Sequence, residues 1–334
     1  MNRRDTLLAL LTFGAMSVPI GVNAQAAPPA RPMRIGLLPG FSEGYRKWIS
    51  GFMREFAWIE GRDFNFIMLD IDYKTEQMDA GAKQVVEQNP DLIIALGDGF
   101  AVAARRYTST IPIVLWVSGY PVESGLADSL ARPGKNVTGN SNYVGYGIWG
   151  KLVELLHEAK PRTKRISVLY DDIPPFVNRE VADAVLREMR QVARNFGISL
   201  QVVEMSFSTQ VAAGLTAIAA ARPDALIATT GPGISPLKQR VAQFALEKRI
   251  PLIVDTPWNL PPDKSPTLVY SPVPSDLMRR AVSYVDRILK GAKPGDLPIQ
   301  QPAKFELVLN MKTAKAIGLT IPQSFLLRVD KLIE

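Results

Sequence analysis

The feature that most constrains the fold is an alternation of short apolar runs with longer segments of helical periodicity along the chain. The runs at 34–38, 91–96 and 112–117 are apolar through most of their length, instead of alternating between apolar and polar residues. Such runs are typical of strands that are buried on both faces of a parallel sheet. The segment at 45–56 repeats its aromatic and aliphatic residues at helical spacing. This alternation predicts an α/β fold with doubly wound sheets.

Three strand segments recur in the same order in the second half of the chain, at offsets of 131 to 139 residues. Residues 34–39 match 165–170, residues 90–95 match 223–228, and residues 111–114 match 250–253. Buried parallel strands resemble one another in general, but three ordered matches at a nearly constant offset favour duplication of one βαβ lobe. Two Rossmann-like lobes in series bring two sets of strand carboxyl ends together, where ligands bind in open α/β sheets. Such lobes can close on a ligand in the cleft about a hinge.

The remaining elements complete the expected organisation into two lobes. Further helices are expected at 76–88, 100–107, 146–159, 177–196, 209–221 and 235–249, and a further strand at 200–205. The C-terminal part predicts strands at 267–271 and 304–309 and helices at 275–290, 312–317 and 324–332. Segments that follow two complete lobes usually cross back between them. Lobe one is therefore expected at 33–140 with part of 270–300, and lobe two at 143–265 with part of 301–334.

Residues 1–24 have the pattern of a secretory signal peptide. Two arginines precede an apolar stretch at 7–18, and small residues before the end of the segment favour cleavage after residue 24. A membrane anchor fits less well, because spanning about 30 Å of hydrocarbon takes roughly 20 apolar residues. The paired arginines are also compatible with twin-Arg export. Residues 25–32 are expected to form a flexible linker, and the mature chain is expected in the periplasm.

The composition excludes several classes of site. The chain has one histidine, His157, and no cysteine, so disulfides, cysteine nucleophiles and metal clusters built from His and Cys are excluded. Lipid attachment at an N-terminal cysteine is excluded as well, and no direct membrane anchor is expected. The net charge is +7, but basic and acidic residues are interspersed, which argues against nucleic-acid binding. No pattern indicates a cofactor or a metal.

Candidate ligand-binding residues follow the predicted strands and the connection between the lobes. They are Phe41, Ser42, Asp98, Gly119, Tyr120, Asn142, Tyr143, Asp171, Thr230, Gly231, Asp255 and Thr256. The hydroxyl groups and glycine turns could hold an anionic group, as backbone N–H groups at helix starts do. The aspartates could accept hydrogen bonds from a ligand, and the aromatic rings could stack on its body. An acid pair could instead perform glycosidase-type hydrolysis, but ligand or helix-cap roles fit each aspartate better.

Two long stretches carry a family resemblance. Residues 111–139 contain IPIV, PV, GL, SL, RPG and NVTG in that order, and residues 288–319 contain ILKGAKP, LPIQQPAKFELVLN and KTAKAIGL. Together they resemble the substrate-binding proteins of ABC transporters that are related to tryptophan- and tyrosine-binding lipoproteins. The resemblance implies a type I periplasmic binding protein, with two Rossmann-like lobes joined by three crossovers. It also implies a receptor that carries an amino acid, an aromatic compound or a small carboxylate to the permease subunits of an ABC importer.

One position departs from the family. Relatives usually carry aspartate where this chain has Tyr120, and that aspartate could pair with the ammonium group of an amino acid. Tyrosine has no carboxylate, so Asp98, Asp171 or Asp255 would have to supply this contact. The favoured interpretation is a monomeric binding protein without catalytic activity. An exported sensor domain and, less favoured, an exported hydrolase are the alternatives.

Overall fold

The computed structural model describes residues 31–38, 43–69, 75–142, 144–171, 179–205, 210–229, 231, 234 and 237–334. The predicted signal peptide at 1–24 and most of the predicted linker at 25–32 lie outside these residues. Arg31, near the end of that linker, donates to both carboxylate oxygens of Asp91, at 2.8 and 2.7 Å. No helix in the described part of the chain is long and apolar enough to cross a bilayer.

The first lobe is built on a five-stranded parallel sheet. Its strands are β1 (Met33–Leu38), β2 (Phe64–Met68), β3 (Leu92–Leu96), β4 (Ile113–Val117) and β5 (Val137–Gly139). The helices between them are α1 (Glu43–Glu55), α2 (Thr75–Glu87) and α3 (Asp98–Arg105). The strand order across the sheet is β2-β1-β3-β4-β5.

The second lobe is built on a seven-stranded sheet. Its strands are β6 (Arg165–Asp171), β7 (Ser199–Met205), β8 (Ala225–Ala228), β9 (Leu252–Val254), β10 (Leu268–Pro272), β11 (Phe305–Asn310) and β12 (Lys331–Ile333). The helices of the second half are α4 (Gly147–Ala159), α5 (Arg179–Asn195), α6 (Val211–Ala221), α7 (Lys238–Glu247), α8 (Pro274–Leu289), α9 (Met311–Ala316) and α10 (Gln323–Leu326). The strand order is β12-β11-β10-β9-β8-β6-β7, in which only the step from β10 to β11 is antiparallel.

The same strand order occurs in both sheets. The run β7-β6-β8-β9-β10 reproduces β2-β1-β3-β4-β5, so that β1, β3 and β4 take the positions of β6, β8 and β9. These three pairs of strands are the segments that match in sequence. The shared order is that of flavodoxin-like doubly wound sheets. The predicted pair of α/β lobes is therefore confirmed.

Helices cover both faces of each sheet. Helices α1 and α8 pack on one face of the first sheet and α2 and α3 on the other. On the second sheet α4 and α5 lie opposite α6 and α7. Strand β1 shows why the strand sequences are continuously apolar, because Ile35 and Leu37 face one helical layer, Leu38 faces the other, and all three are fully buried. Burial of each such side chain contributes about 1.5–3 kcal/mol.

The chain crosses between the lobes three times, as the family resemblance implies. The first crossing follows β5, at residues 140–142 and 144–146. The second follows β10, because α8 packs beside α1 on the first sheet. Before the third crossing the chain lies along β5, where Gln300 N donates to Gly139 O at 2.9 Å. The Thr138 hydroxyl donates to the Leu297 carbonyl at 2.7 Å in the same stretch. The chain then returns to the second sheet as β11.

Three elements differ from the prediction. Strands β2 and β5 are missed, since β2 is an edge strand with a polar Asn65 among apolar residues and β5 has only 3 residues. The predicted helix at 324–332 is wrong beyond Leu326, where α10 ends and β12 follows. The helix is replaced by a strand because two reciprocal hydrogen bonds join Asp330 to Leu307. Asp330 N donates to Leu307 O and Leu307 N donates to the Asp330 carboxylate, both at 2.9 Å. This link lays the chain along β11 as an edge strand.

Candidate functional site

The loop after β4 is held by Asp98, the first residue of α3. Its carboxylate accepts hydrogen bonds from the Ser118 hydroxyl and from the backbone N–H groups of Gly119 and Tyr120, at 3.0 and 3.1 Å. Burial raises the pKa of the Asp98 carboxyl, and the three donors only partly offset this effect. Three hydrogen bonds occupy most of the acceptor capacity of a carboxylate. This geometry therefore favours a role for Asp98 in fixing the loop.

Tyr120 connects the two lobes. Its backbone belongs to the loop after β4, but its ring packs against the core of the second lobe. The ring stacks on Tyr146, with centroids 5.3 Å apart and planes 26° apart. The hydroxyl accepts a hydrogen bond from Trp149 Nε1 at 2.8 Å, and burial raises the pKa of the phenol far above its usual value. An aromatic side chain of lobe one thus rests on the first turn of α4.

The first crossing carries amide side chains at the hinge. Asn140 is fully buried, and its Nδ2 donates to the carbonyls of Trp116 and Leu277 at 3.1 and 2.7 Å. Asn142 N donates to the Ser118 carbonyl at 2.7 Å, which joins the crossing to the loop after β4. The Oδ1 atom of Asn142 is buried and accepts no hydrogen bond from the described residues. Asn142 therefore presents an acceptor that a ligand N–H could satisfy.

The second lobe brings polar residues together at the carboxyl ends of β8 and β9. Asp255 follows β9 directly and is 3% exposed, and Thr256 beside it is half-buried. Gly231 follows β8 and is also half-buried. Lys238, which the sequence analysis missed, is the first residue of α7, and burial lowers the pKa of its ammonium group while Asp255 raises it. Because β8 and β9 pair side by side, these residues share one edge of the sheet.

Several predicted residues cannot be placed in this site. Phe41, Ser42, Tyr143, Thr230 and the side chain of Asp171 lie outside the described residues. The backbone of Asp171 ends β6, so this residue does lie at the carboxyl edge of the second sheet. Their roles stay predictions.

An aromatic cluster on the first lobe was also missed. The Tyr45 and Trp48 rings contact Trp116 edge-on, with centroid distances of 5.2 and 5.4 Å. Trp116 lies near the carboxyl end of β4, and Tyr45 lies in the first turn of α1. From the sequence alone, their spacing predicts only that they belong to the buried face of a strand and of a helix. The signal in the sequence was the presence of aromatic residues both near the end of β4 and near the start of α1. These two ends lie at the same edge of the sheet.

No group of three or more His, Asp or Glu residues in the described part of the chain could hold a metal ion. The only histidine, His157, stacks on Phe196 with centroids 4.5 Å apart. It lies near the end of α4, which leads into the amino end of β6, so it is remote from the strand carboxyl ends.

The comparisons with known proteins agree with this architecture. The sequence profile of the family described as ABC transporter substrate binding protein matches residues 67–333. A tyrosine-binding protein of Clostridioides difficile (strain R20291) is 28% identical over 259 residues, which cover 75% of this chain and 71% of the relative. The ABC domain of Streptococcus pneumoniae in complex with L-Trp has a TM-score of 0.76 at 21% identity, covering 91% of this chain and 100% of that one.

A conserved domain protein of Vibrio cholerae has a TM-score of 0.78 at 24% identity, with the same coverage of 91% and 100%. At such low identity the two structures show the fold alone, which is that of type I periplasmic binding proteins. The family profile, in contrast, extends over most of the sequence. This chain therefore belongs to the family of ABC transporter substrate-binding proteins.

Proposed function

We propose that this chain is an exported receptor that binds a small molecule between its lobes and delivers it to the permease subunits of an ABC importer. The observation that carries the proposal is the pair of matched lobes, joined by three crossovers, in a member of the substrate-binding family. Binding without catalysis is part of the proposal. So are removal of residues 1–24 on export, a periplasmic location and a monomeric state.

The ligand is proposed to lie between the strand carboxyl ends of the two lobes. We place lobe one at 33–140 with 274–300 and lobe two at 143–272 with 301–334, since β10 extends the second lobe beyond the predicted residue 265. In this placement the Asn142 Oδ1 atom accepts a hydrogen bond from the ligand. Thr256 and Gly231 would contact it from lobe two.

An aromatic amino acid is the ligand class that the surroundings fit best. Tyr45 and Trp48 on lobe one and Tyr146 on lobe two are half-buried aromatic residues near the strand ends. Rings of this kind stack on planar ligands. The relative from Clostridioides difficile is named for tyrosine binding, and the similar structure from Streptococcus pneumoniae holds L-Trp. L-tyrosine and L-tryptophan are therefore the first ligands to test.

Thermal unfolding of the mature protein with candidate ligands tests the proposal. A ligand at a hundred times its Kd stabilises the folded state by about 2.7 kcal/mol. At about 2.1 cal/mol/K of unfolding entropy per residue, this stabilisation corresponds to a rise in Tm of roughly 4 °C for a protein of this size. Glucose and L-alanine serve as controls. If neither aromatic amino acid raises the Tm, the ligand assignment is wrong, and mass-spectrometric detection of ligand breakdown would contradict the absence of catalysis.

A further inference from the structure

Helix α5 carries a row of arginines on its exposed face. Arg187, Arg190 and Arg194 follow one another at spacings of three and four residues, and all three are exposed. Side chains at these spacings are neighbours on a helix, and like charges there destabilise it. None of the three forms an ion pair with a residue in the described part of the chain. Arg179, on the same helix, does pair with Asp183, at 3.1 Å.

The arginine row lines an open groove of about 450 Å³ between α5 and the start of α4. Glu188 is the acidic residue of this groove, and its carboxylate lies against α4, where a Cβ on Gly150 would be only 3.1 Å from Glu188 Oε1. Arg194 donates to the neutral Gln191 Oε1 at 2.5 Å, which positions the guanidinium group without neutralising it. The groove therefore keeps an excess of positive charge that the fold itself does not use.

The groove is continuous with the contact between the lobes. Tyr146, which precedes α4, lines the groove and is half-buried. The Tyr120 ring of lobe one stacks on Tyr146, with centroids 5.3 Å apart. Arginine and tyrosine are among the residues that contribute most to binding energy at protein–protein interfaces. The composition and position of the groove are thus those of a docking surface on lobe two.

The groove fits an acidic protein segment better than an anionic membrane. The guanidinium fork binds carboxylates through paired hydrogen bonds, and arginine clusters are a recurring means of recognising acidic motifs. Clusters that bind anionic lipids usually have about four to eight basic residues, or apolar side chains that enter the bilayer. This row has three arginines, and no large exposed apolar side chain is found among the described residues that line the groove.

We propose that this groove is a docking surface for an acidic segment of a partner protein, whose carboxylates pair with Arg187, Arg190 and Arg194. The inference rests on the proposed receptor function only for the identity of the partner. In that function the acidic segment belongs to the permease subunits of the importer.

Fluorescence anisotropy with a labelled hexaglutamate peptide tests the docking surface. Wild-type mature protein is expected to bind the peptide at low salt, and added salt should weaken binding because exposed charges are screened. The double variant Arg187→Glu with Arg190→Glu should bind at least about 5-fold more weakly, since one exposed ion pair contributes up to roughly 5-fold in affinity. Its thermal stability should not fall, because both side chains are exposed and unpaired among the described residues.

Two further variants make the result specific. Arg54→Glu with Lys248→Glu changes the net charge by the same amount at exposed residues outside the groove, and should keep most of the affinity for the peptide. Arg187→Gln with Arg190→Gln removes the two positive charges without adding negative ones. Its affinity should lie between that of wild type and that of the glutamate variant of the groove.

Three results would overturn the proposal. One is equal weakening in the groove variant and in the matched variant outside it, which would mean attraction to net charge alone. Another is absence of peptide binding to wild type at low salt. The third is binding to phosphatidylglycerol vesicles that is lost in the groove variant while its affinity for the peptide is unchanged, which would assign the groove to a membrane. Each of them leaves the receptor function standing, because that function is tested by thermal unfolding with small molecules.

Discussion

Replacing Tyr120 with phenylalanine should weaken the contact between the two lobes while each lobe stays folded. The backbone of Tyr120 is fixed to lobe one by Asp98, which accepts from its N–H group at 3.1 Å. Its hydroxyl is bound to lobe two through Trp149 Nε1 at 2.8 Å. The substitution removes this hydrogen bond and keeps the ring that stacks on Tyr146. Its effect should therefore fall on the relative positions of the lobes.

The size of the effect follows from the contact that is lost. One hydrogen bond contributes about 0.5–1.5 kcal/mol net. The ratio of molecules whose lobes are in contact through Tyr120 to molecules whose lobes are apart should therefore fall about 2- to 13-fold. Tyr120→Ala removes the half-buried stacked ring as well, and an aromatic pair of this kind contributes about 0.5–1.5 kcal/mol beyond its buried area. The alanine variant should thus show a larger shift in the same direction.

Single-molecule energy transfer between the lobes measures this population. The chain has no cysteine, so Ser109→Cys in lobe one and Lys248→Cys in lobe two, both exposed, allow specific labelling. Tyr107→Phe is the matched control, because its hydroxyl contacts Asp79 within lobe one. That variant should leave the distance distribution unchanged.

The reasoning about Tyr120 would be refuted by either of two results. One is a distance distribution in Tyr120→Ala that equals that of wild type. The other is a loss of thermal stability in Tyr120→Phe with no change in the distances, which would mean that the contact stabilises lobe two alone.

Three further predictions concern single residues of the hinge and its loop. Asn142→Ala should weaken ligand binding about 10-fold with little change in Tm, measured by calorimetry, because it deletes a buried acceptor without a partner among the described residues. Burial raises the pKa of Asp98, so the folded state holds this proton more tightly, and its contribution to stability falls as the pH rises from the usual to the raised pKa. Asp98→Asn should remove this part of the pH dependence, and unchanged curves in urea unfolding would contradict it. Gly139 has φ +132° and a Cβ there would lie 2.2 Å from the Leu115 carbonyl oxygen, so Gly139→Ala should cost ~1–3 kcal/mol in backbone strain and more through the clash, measured as a fall in Tm.

The strands that match between the halves could be predicted because their environment is simple. A central parallel strand meets apolar helices on both faces, so β1, β3 and β4 and their counterparts carry continuous apolar runs. The missed strands lack this constraint, since β2 lies at an edge and β5 is too short to show a pattern. The helix predicted at 324–332 is wrong beyond Leu326 for a related reason. Strand β12 is also an edge strand, and hydrogen bonds between Asp330 and Leu307 hold it in place.

The sequence indicates where several candidate residues lie in the fold, but not which way their side chains point. Strand ends identify Asp98, Tyr120 and Asp255 as residues near the cleft, because connectivity alone places them there. The direction of a side chain depends on packing across elements that are distant in sequence. The Tyr120 ring therefore packs on lobe two, and the Asp98 carboxylate binds its own loop, which no local pattern indicates. Lys238 was missed because a lysine at a helix start reads as a solvated surface residue until its burial is known.

The departure at Tyr120 changes the charge of the cleft as well as the contact between the lobes. Asp98 holds this loop through backbone N–H groups, which aspartate and tyrosine supply equally, so the side chain can vary without loss of the loop. Tyrosine removes a negative charge that could pair with a ligand ammonium group. The ammonium group of L-tyrosine is then left with a neutral acceptor such as Asn142 Oδ1, and we expect L-tyrosine to bind no more than about 10-fold more tightly than 3-(4-hydroxyphenyl)propionate, which lacks that group. Tyr120→Asp should raise this preference about 10-fold in calorimetry, as expected for a new ion pair shielded from water, and an unchanged preference would show that another residue already binds the ammonium group.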